Sequence, residues 1–481
     1  MKTQTDSRYH DSKQKQYNNN FLTNTKRSTA MNTKYFLRKG LMALVSLLMI
    51  TSMMFAGDFI NKGTLTNKVG KSFTVSTGNF QNYKATDVGG TVNNAGTITI
   101  SSASKDFLNS NGTENGTLTN NIATDYGTVN VGRDFVNQTG VVTNSSTAVI
   151  DANNDVTNTT GTFTNTGIVR VFNNLTSTSG FVTTAGTVEY DGSGAQSVLG
   201  ITYGTLKALT GGTKTLAGAV TASTGFEIGG GATLAVNTNT LTLNGTVTTG
   251  GTLTSANSGT VEYLGASQNV FAATYGNLTV GGSGTHTSSG TVTVNSVYTN
   301  AVSGVILSTV GFTSAVGANL SANSGTLQAS GTVTIGDGLS ETIGGTFNYS
   351  GATQTVAAAQ YTDLTLSGNG GNVTFPASLY IAGAYSPSGT STRDYTGSTI
   401  RFNGSGAQSI AGDASSFAAL EFFNAGVKTI TSSVTTTGSV TIDASVNAGD
   451  GVAVSNGIVL TVGGDLNNDG TLTNDGTITV N

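Results

Sequence analysis

The chain has 481 residues with no Cys, no Trp, only 2 Pro, 66 Gly and 10% charged side chains. A chain without Cys has no disulfide framework and no lipidated cysteine, so packing and hydrogen bonds alone hold it. Nine of the 21 Lys and Arg precede residue 57, as do only two of the 25 Asp and Glu, so the remainder is acidic. No basic residue lies between Lys214 and Arg393. That excludes the phosphate neutralisation on which nucleic-acid binding depends, and disfavours anionic membrane surfaces.

In chain order, residues 1–30 are polar and featureless, and are read as disordered or outside the natural product. Met31 opens a basic stretch with Lys34, Arg38 and Lys39, followed by the apolar run Leu41 to Phe55. This is the pattern of a secretory signal peptide over 31–57, with Met31 as the start and cleavage near Ala56 or Gly57. The apolar run is short for a membrane span, so no integral span is expected after cleavage. An uncleaved N-terminal anchor is the competing reading.

Residues 58–185 restate a unit of about twenty residues, the period of a solenoid repeat. Copies read Asp134-Phe-Val-Asn137-Gln-Thr-Gly140, Asp155-Val-Thr-Asn158-Thr-Thr-Gly161 and Asn174-Leu-Thr-Ser177-Thr-Ser-Gly180. Within each copy, pieces such as Thr97-Ile-Thr-Ile100 alternate apolar and polar residues, the mark of a half-buried strand. Gly and Asn between them tolerate positive φ and are expected to supply the corners. The fold class expected is all-β, a parallel β-helix (β-solenoid) of about twenty coils and about 95 Å.

Residues 186–462 carry a longer module on the same coils. Thr187-Val-Glu189-Tyr190, Gly-Ala-Gln196-Ser, Tyr203-Gly-Thr-Leu206 and Gly-Thr-Lys214-Thr-Leu recur around Tyr263 and Tyr275, Tyr349 and Tyr361, and Phe402 and Phe417. Tyr190, Tyr263, Tyr349 and Phe402 are 73, 86 and 53 residues apart, which gives no single module length. The aromatic series is expected in the core or at corners rather than as an external sugar-stacking row. Residues 463–481 form a final short Asn/Gly coil, read as truncated.

These modules, with the Gly464-Asp465-Leu-Asn467-Asn-Asp469-Gly470 coil, resemble the repeats of bacterial β-strand-repeat surface proteins and, more loosely, filamentous-haemagglutinin-like adhesins. The resemblance covers nearly everything after residue 57. It implies a rod secreted from, or displayed on, a bacterial cell or its outer membrane.

Candidate chemistry is sparse. Asp465, Asn467 and Asp469 match the opening of a calcium loop, but position twelve is Gly476 where a carboxylate is needed. A stacked corner is the alternative, and no other metal or cofactor is expected. Facing carboxylates, as glycoside hydrolysis requires, would have to come from Glu189 with Asp191 or Asp337 with Glu341, and a lyase base from Arg393 beside Asp394. No catalytic residue is assigned from these pairs. His286 stands where Lys214 and Lys428 stand in sister modules, and is therefore read as an exposed strand residue. Outward pairs such as Thr64-Leu-Thr66, Thr97-Ile-Thr99, Thr117-Leu-Thr119, Thr162-Phe-Thr164, Thr246-Val-Thr248 and Thr332-Val-Thr334 suggest ice binding, against which stands the drift in coil length.

The functional expectation is a structural or adhesive rod whose Thr, Ser and Asn faces make weak multivalent contacts with glycans, matrix or sister molecules. A carbohydrate-active β-helix enzyme and an ice-binding solenoid are the alternatives. The regular last coil has no capping feature, so the chain is expected either to belong to a longer protein or to associate end to end.

Overall fold

A computed structural model describes residues 57–83, 90–110, 114–120, 127–412, 415–443, 445 and 451–481. Apart from Gly57, the expected leader and the segment before it lie outside these residues. Except for one 3-10 turn at Gly338–Ser340, the described regular structure is all strand. The chain winds as a parallel β-solenoid of about twenty coils, each a triangle of three short strands.

The first coil contains Phe59–Asn61, Thr64–Asn67 and Ser72–Val75. The next coil lays Phe80 on Phe59, Thr91 on Thr64 and Thr97 on Ser72, all parallel. Alternation decides which side chains enter: Ile98 and Ile100 are buried while Thr97 and Thr99 face outward. The core is therefore a single apolar column, one side-chain pair per strand. Rings stack along it, with Phe107 midway between Phe80 at 4.7 Å and Phe135 at 5.0 Å.

Coil length does drift, from 17 residues between Thr260 and Asn277 to 31 between Thr97 and Thr128. Loops absorb the difference and the wall registers survive it.

The corner asparagines are not where turn chemistry placed them. Among the described residues only Asn237 and Asn424 are asparagines with positive φ. Ten of the others are buried and point inward in two ladders. Asn67, Asn94, Asn120, Asn144 and Asn165 form one buried ladder, each amide donating to the Oδ1 above at 2.8–2.9 Å. Asn61, Asn82, Asn109, Asn137 and Asn158 form a second ladder at the next corner, at 2.7–3.0 Å. Each amide has a second N–H, which bonds a wall carbonyl, as Asn94 does to Thr128 at 2.9 Å. Asp and Asn hold the third corner by accepting backbone N–H groups from the coil above, as Asp155 does from Asn174 at 2.9 Å. Asn is used because one side chain supplies both donor and acceptor, so an amide inside a ladder finds partners in the coils above and below.

The unequal module spacing resolves once wall segments rather than coils are counted. From Tyr190 to Tyr263, Tyr349 and Phe402 the chain passes through eleven, thirteen and eight segments. Each step averages between six and seven residues per segment. None of these counts is a multiple of three, so successive modules begin on different walls. Two of the three walls thus host the same local motif in alternation.

Candidate functional site

Each module is a clasp built from its own sequence. In the first, Gly192 presses on the coil beneath, where a Cβ would stand 1.7 Å from the Phe172 carbonyl oxygen. Gly404 is as tight against Ala382, at 1.9 Å. The buried glutamine that follows closes the corner. Gln196 Oε1 accepts the Gly192 N–H at 3.1 Å, and its Nε2 donates to the Val171 and Asn173 carbonyls at 2.9 and 2.8 Å. Gln268, Gln354 and Gln408 repeat the same three bonds.

The paired tyrosines complete the clasp and are fully buried, as expected. Leu199 N–H donates to Tyr190 Oη at 3.1 Å, and Tyr203 Oη–H donates to the Leu199 carbonyl at 2.7 Å. The two hydroxyls meet at 3.1 Å, which closes a ring of hydrogen bonds. Tyr263 with Tyr275 around Phe271, and Tyr349 with Tyr361 around Ala357, are built alike. Burial pushes the Tyr190 and Tyr263 hydroxyls up to about 12. Phe402 and Phe417 are also buried but carry no hydroxyl; nearby, Tyr385 and Tyr395 pair through theirs.

One expectation fails outright: His286 is not exposed, nor are Lys214 and Lys428, whose slot it shares, and each of the three has 0% of its surface accessible. They lie directly above the clasp glutamines, Lys214 on Gln196 and Lys428 on Gln408. The reason is the cage of carbonyls that a glycine corner turns inward. Lys214 Nζ donates to the Gly192, Gly194 and Gly211 carbonyls. Lys428 Nζ does so to Gly404 at 2.7 Å and Ala425 at 2.6 Å. His286 reaches only Gly281, at 2.8 Å, and its buried Nδ1 has no hydrogen-bond partner. Burial lowers the pKa of Lys214 and of His286, in the latter against the pull of the Gly281 carbonyl.

The carboxylates suggested for catalysis are engaged in the scaffold. Glu189 sits in a column of alternating charge on one wall, in the order Asp151, Arg170, Glu189, Lys207, Glu227. Arg170 meets Glu189 at 2.7 Å, and Lys207 lies 3.4 Å from both Glu189 and Glu227. Burial pushes the nearby Asp151 and Asp191 carboxyls up, opposed by Arg170. Glu341 accepts the Leu320 N–H at 3.0 Å and Asp337 the Gly317 N–H at 2.7 Å. The strand separates Arg393 from Asp394, turning the first inward and the second out. Asp465, Asn467 and Asp469 are exposed on the last full coil. Among the described residues no three of His, Cys, Asp or Glu cluster as a metal site would need.

What remains as a surface is one wall of hydroxyls. Thr213, Thr233 and Thr252 stack in register, beside Thr215, Ala235 and Thr254. Thr291 with Gly311, and Thr293 with Thr313 and Thr334, continue the two columns. Thr355 and Thr374 follow, then Asp394. Shallow depressions of about 500 and 370 Å³ join these blocks. No ring and no charge faces out from Thr213 to Thr374. Of the outward Thr pairs picked from the sequence, Thr332–Thr334 lies on this surface, whereas Thr64–Thr66, Thr117–Thr119 and Thr162–Thr164 share a second wall. Thr97–Thr99 and Thr246–Thr248 end opposite flanks of the charged column on another. The columns become visible only when strands are aligned on their inward Leu and Val. Compared with protein-family models, curated proteins and solved structures, the chain matches none of them.

Proposed function

We propose that this chain is an extracellular structural and adhesive rod, secreted from or displayed on a bacterial cell, that presents its Thr walls to glycans or matrix. The observation that supports the reading is the uncharged wall from Thr213 to Thr374. Its ionisable and amide groups are spent inside the coils, and its hydroxyls repeat at about 4.8 Å along the rod. Such an array suits many individually weak hydrogen bonds to a long polymer. Export through a leader at residues 31–57 belongs to the same proposal. The test is antibody labelling of intact cells, together with retention of the protein on insoluble polysaccharides. Surface labelling and retention that drops in Thr293→Tyr/Thr313→Tyr are expected. An antigen found only after lysis overturns the proposal.

A further inference from the structure

The first and last full coils are the same sentence with opposite charges. The first reads Asp58-Phe-Ile-Asn61-Lys62-Gly63-Thr-Leu-Thr-Asn67-Lys68, and the last reads Asp465-Leu-Asn-Asn468-Asp469-Gly470-Thr-Leu-Thr-Asn474-Asp475. Aligned position for position, Lys62 falls on Asp469 and Lys68 on Asp475. All four side chains are exposed. In the coils between them, the residue after a ladder asparagine is neutral: Tyr83, Ala95, Ser110, Gln138, Ser145, Thr159 and Thr166. A charge directly after a ladder asparagine is thus confined to the two end coils, with Asp443 standing beneath Asp469 at the same corner of the preceding coil.

We propose that the edge formed by Leu466–Val480 docks on the Phe59–Val75 edge of a second copy, giving a head-to-tail filament. The contact continues the interface that joins every coil to the next. Throughout the first coils an Asn amide donates upward to the Oδ1 above it, as Asn61 does to Asn82 at 2.9 Å. Asn468 and Asn474 carry that donor at the upper edge, and Asn61 and Asn67 the matching acceptor at the lower one. Leu466, Leu472 and Ile478 are only partly covered, as are Phe59 and Leu65. Stacking buries the two apolar sections against each other.

Leu466–Asn468 lies on the wall that follows the one holding Phe59–Asn61, so each copy is turned by a third of a coil relative to the last. The modules already begin on two different walls, which shows that one motif tolerates such a turn. A contact between unlike surfaces that does not close on itself propagates as a fibre. The proposal concerns any form of the protein that leaves both edges uncovered, and it does not depend on the adhesive reading.

The test is light scattering and electron microscopy of the purified chain, as translated and beginning at Gly57. Rods in multiples of one length are expected in at least one of the two forms, and loss of assembly in Lys62→Glu/Lys68→Glu. Asp469→Lys/Asp475→Lys should abolish assembly alike, and all four changes together should restore it. Circular dichroism confirms that each variant keeps its strands. Monomers in both wild-type forms, assembly indifferent to the reversals, or no rescue by the quadruple variant would each overturn the proposal.

Discussion

At the scale of single residues, the solenoid is held by side chains that finish backbone hydrogen bonds. Gln268→Ala strands the Gly265 N–H and takes a donor from the Leu243 and Gly245 carbonyls, of which Leu243 keeps the Leu264 N–H, and a stranded buried group costs about 1–3 kcal/mol. A lowered melting temperature with faster amide exchange around Gly265 is the expected result. His286 gives a pH dependence. Its pKa is depressed by burial, so the unfolded chain takes up the proton first. Stability is therefore full above about pH 6.5 and falls as pH drops through the lower folded value. Because sister modules seat an ammonium in this slot, His286→Lys should flatten that acid-side loss, read from melting curves between pH 4 and 8. The tyrosine pairs act at the other extreme. Their pKa values are raised, so stability is present below about pH 10 and is lost as pH rises through the folded values. Ionisation of the buried pairs should accompany unfolding, followed by tyrosinate absorbance and circular dichroism on one sample.

At the scale of strands, the register predicts what can be removed. Leu253 stacks on Leu234, so deleting residues 234–252 takes out one whole coil and brings Leu253 onto Lys214. The shortened protein is expected to fold with unchanged strand signature and to be shorter by about 4.8 Å in solution scattering. The same register explains what the sequence could and could not disclose. Alternation in Thr97-Ile-Thr-Ile100 depends on neighbours in the chain, so strands and the inward series were legible. The Lys214 slot and Asn94 gave the wrong answer because their burial depends on groups some twenty residues away. A lysine beside Thr reads as exposed until the Gly192 and Gly211 carbonyls are seen to close over it. The Thr columns were hidden likewise, since Thr215, Ala235 and Thr254 share no motif and meet only through pairing.

At the scale of the whole molecule, every coil touches chiefly the one before and the one after, so stability is close to a sum of nearest-neighbour terms. Amide exchange should accordingly be fastest in Thr477–Val480, which is paired on one side, and slow toward the interior coils. Uniform protection along the rod would argue against that local coupling.

The counting of modules by wall segment also has a genetic meaning. A fold whose motif had to return to the same wall could lengthen only by whole turns. Here clasps begin on two different walls, so slippage or unequal crossing-over need preserve only the strand and its corner. Each such event adds about a third of a turn, roughly 1.6 Å of rod. Lineages carrying this chain are expected to differ in length by multiples of six to seven residues rather than of twenty, which sequencing of related strains would reveal.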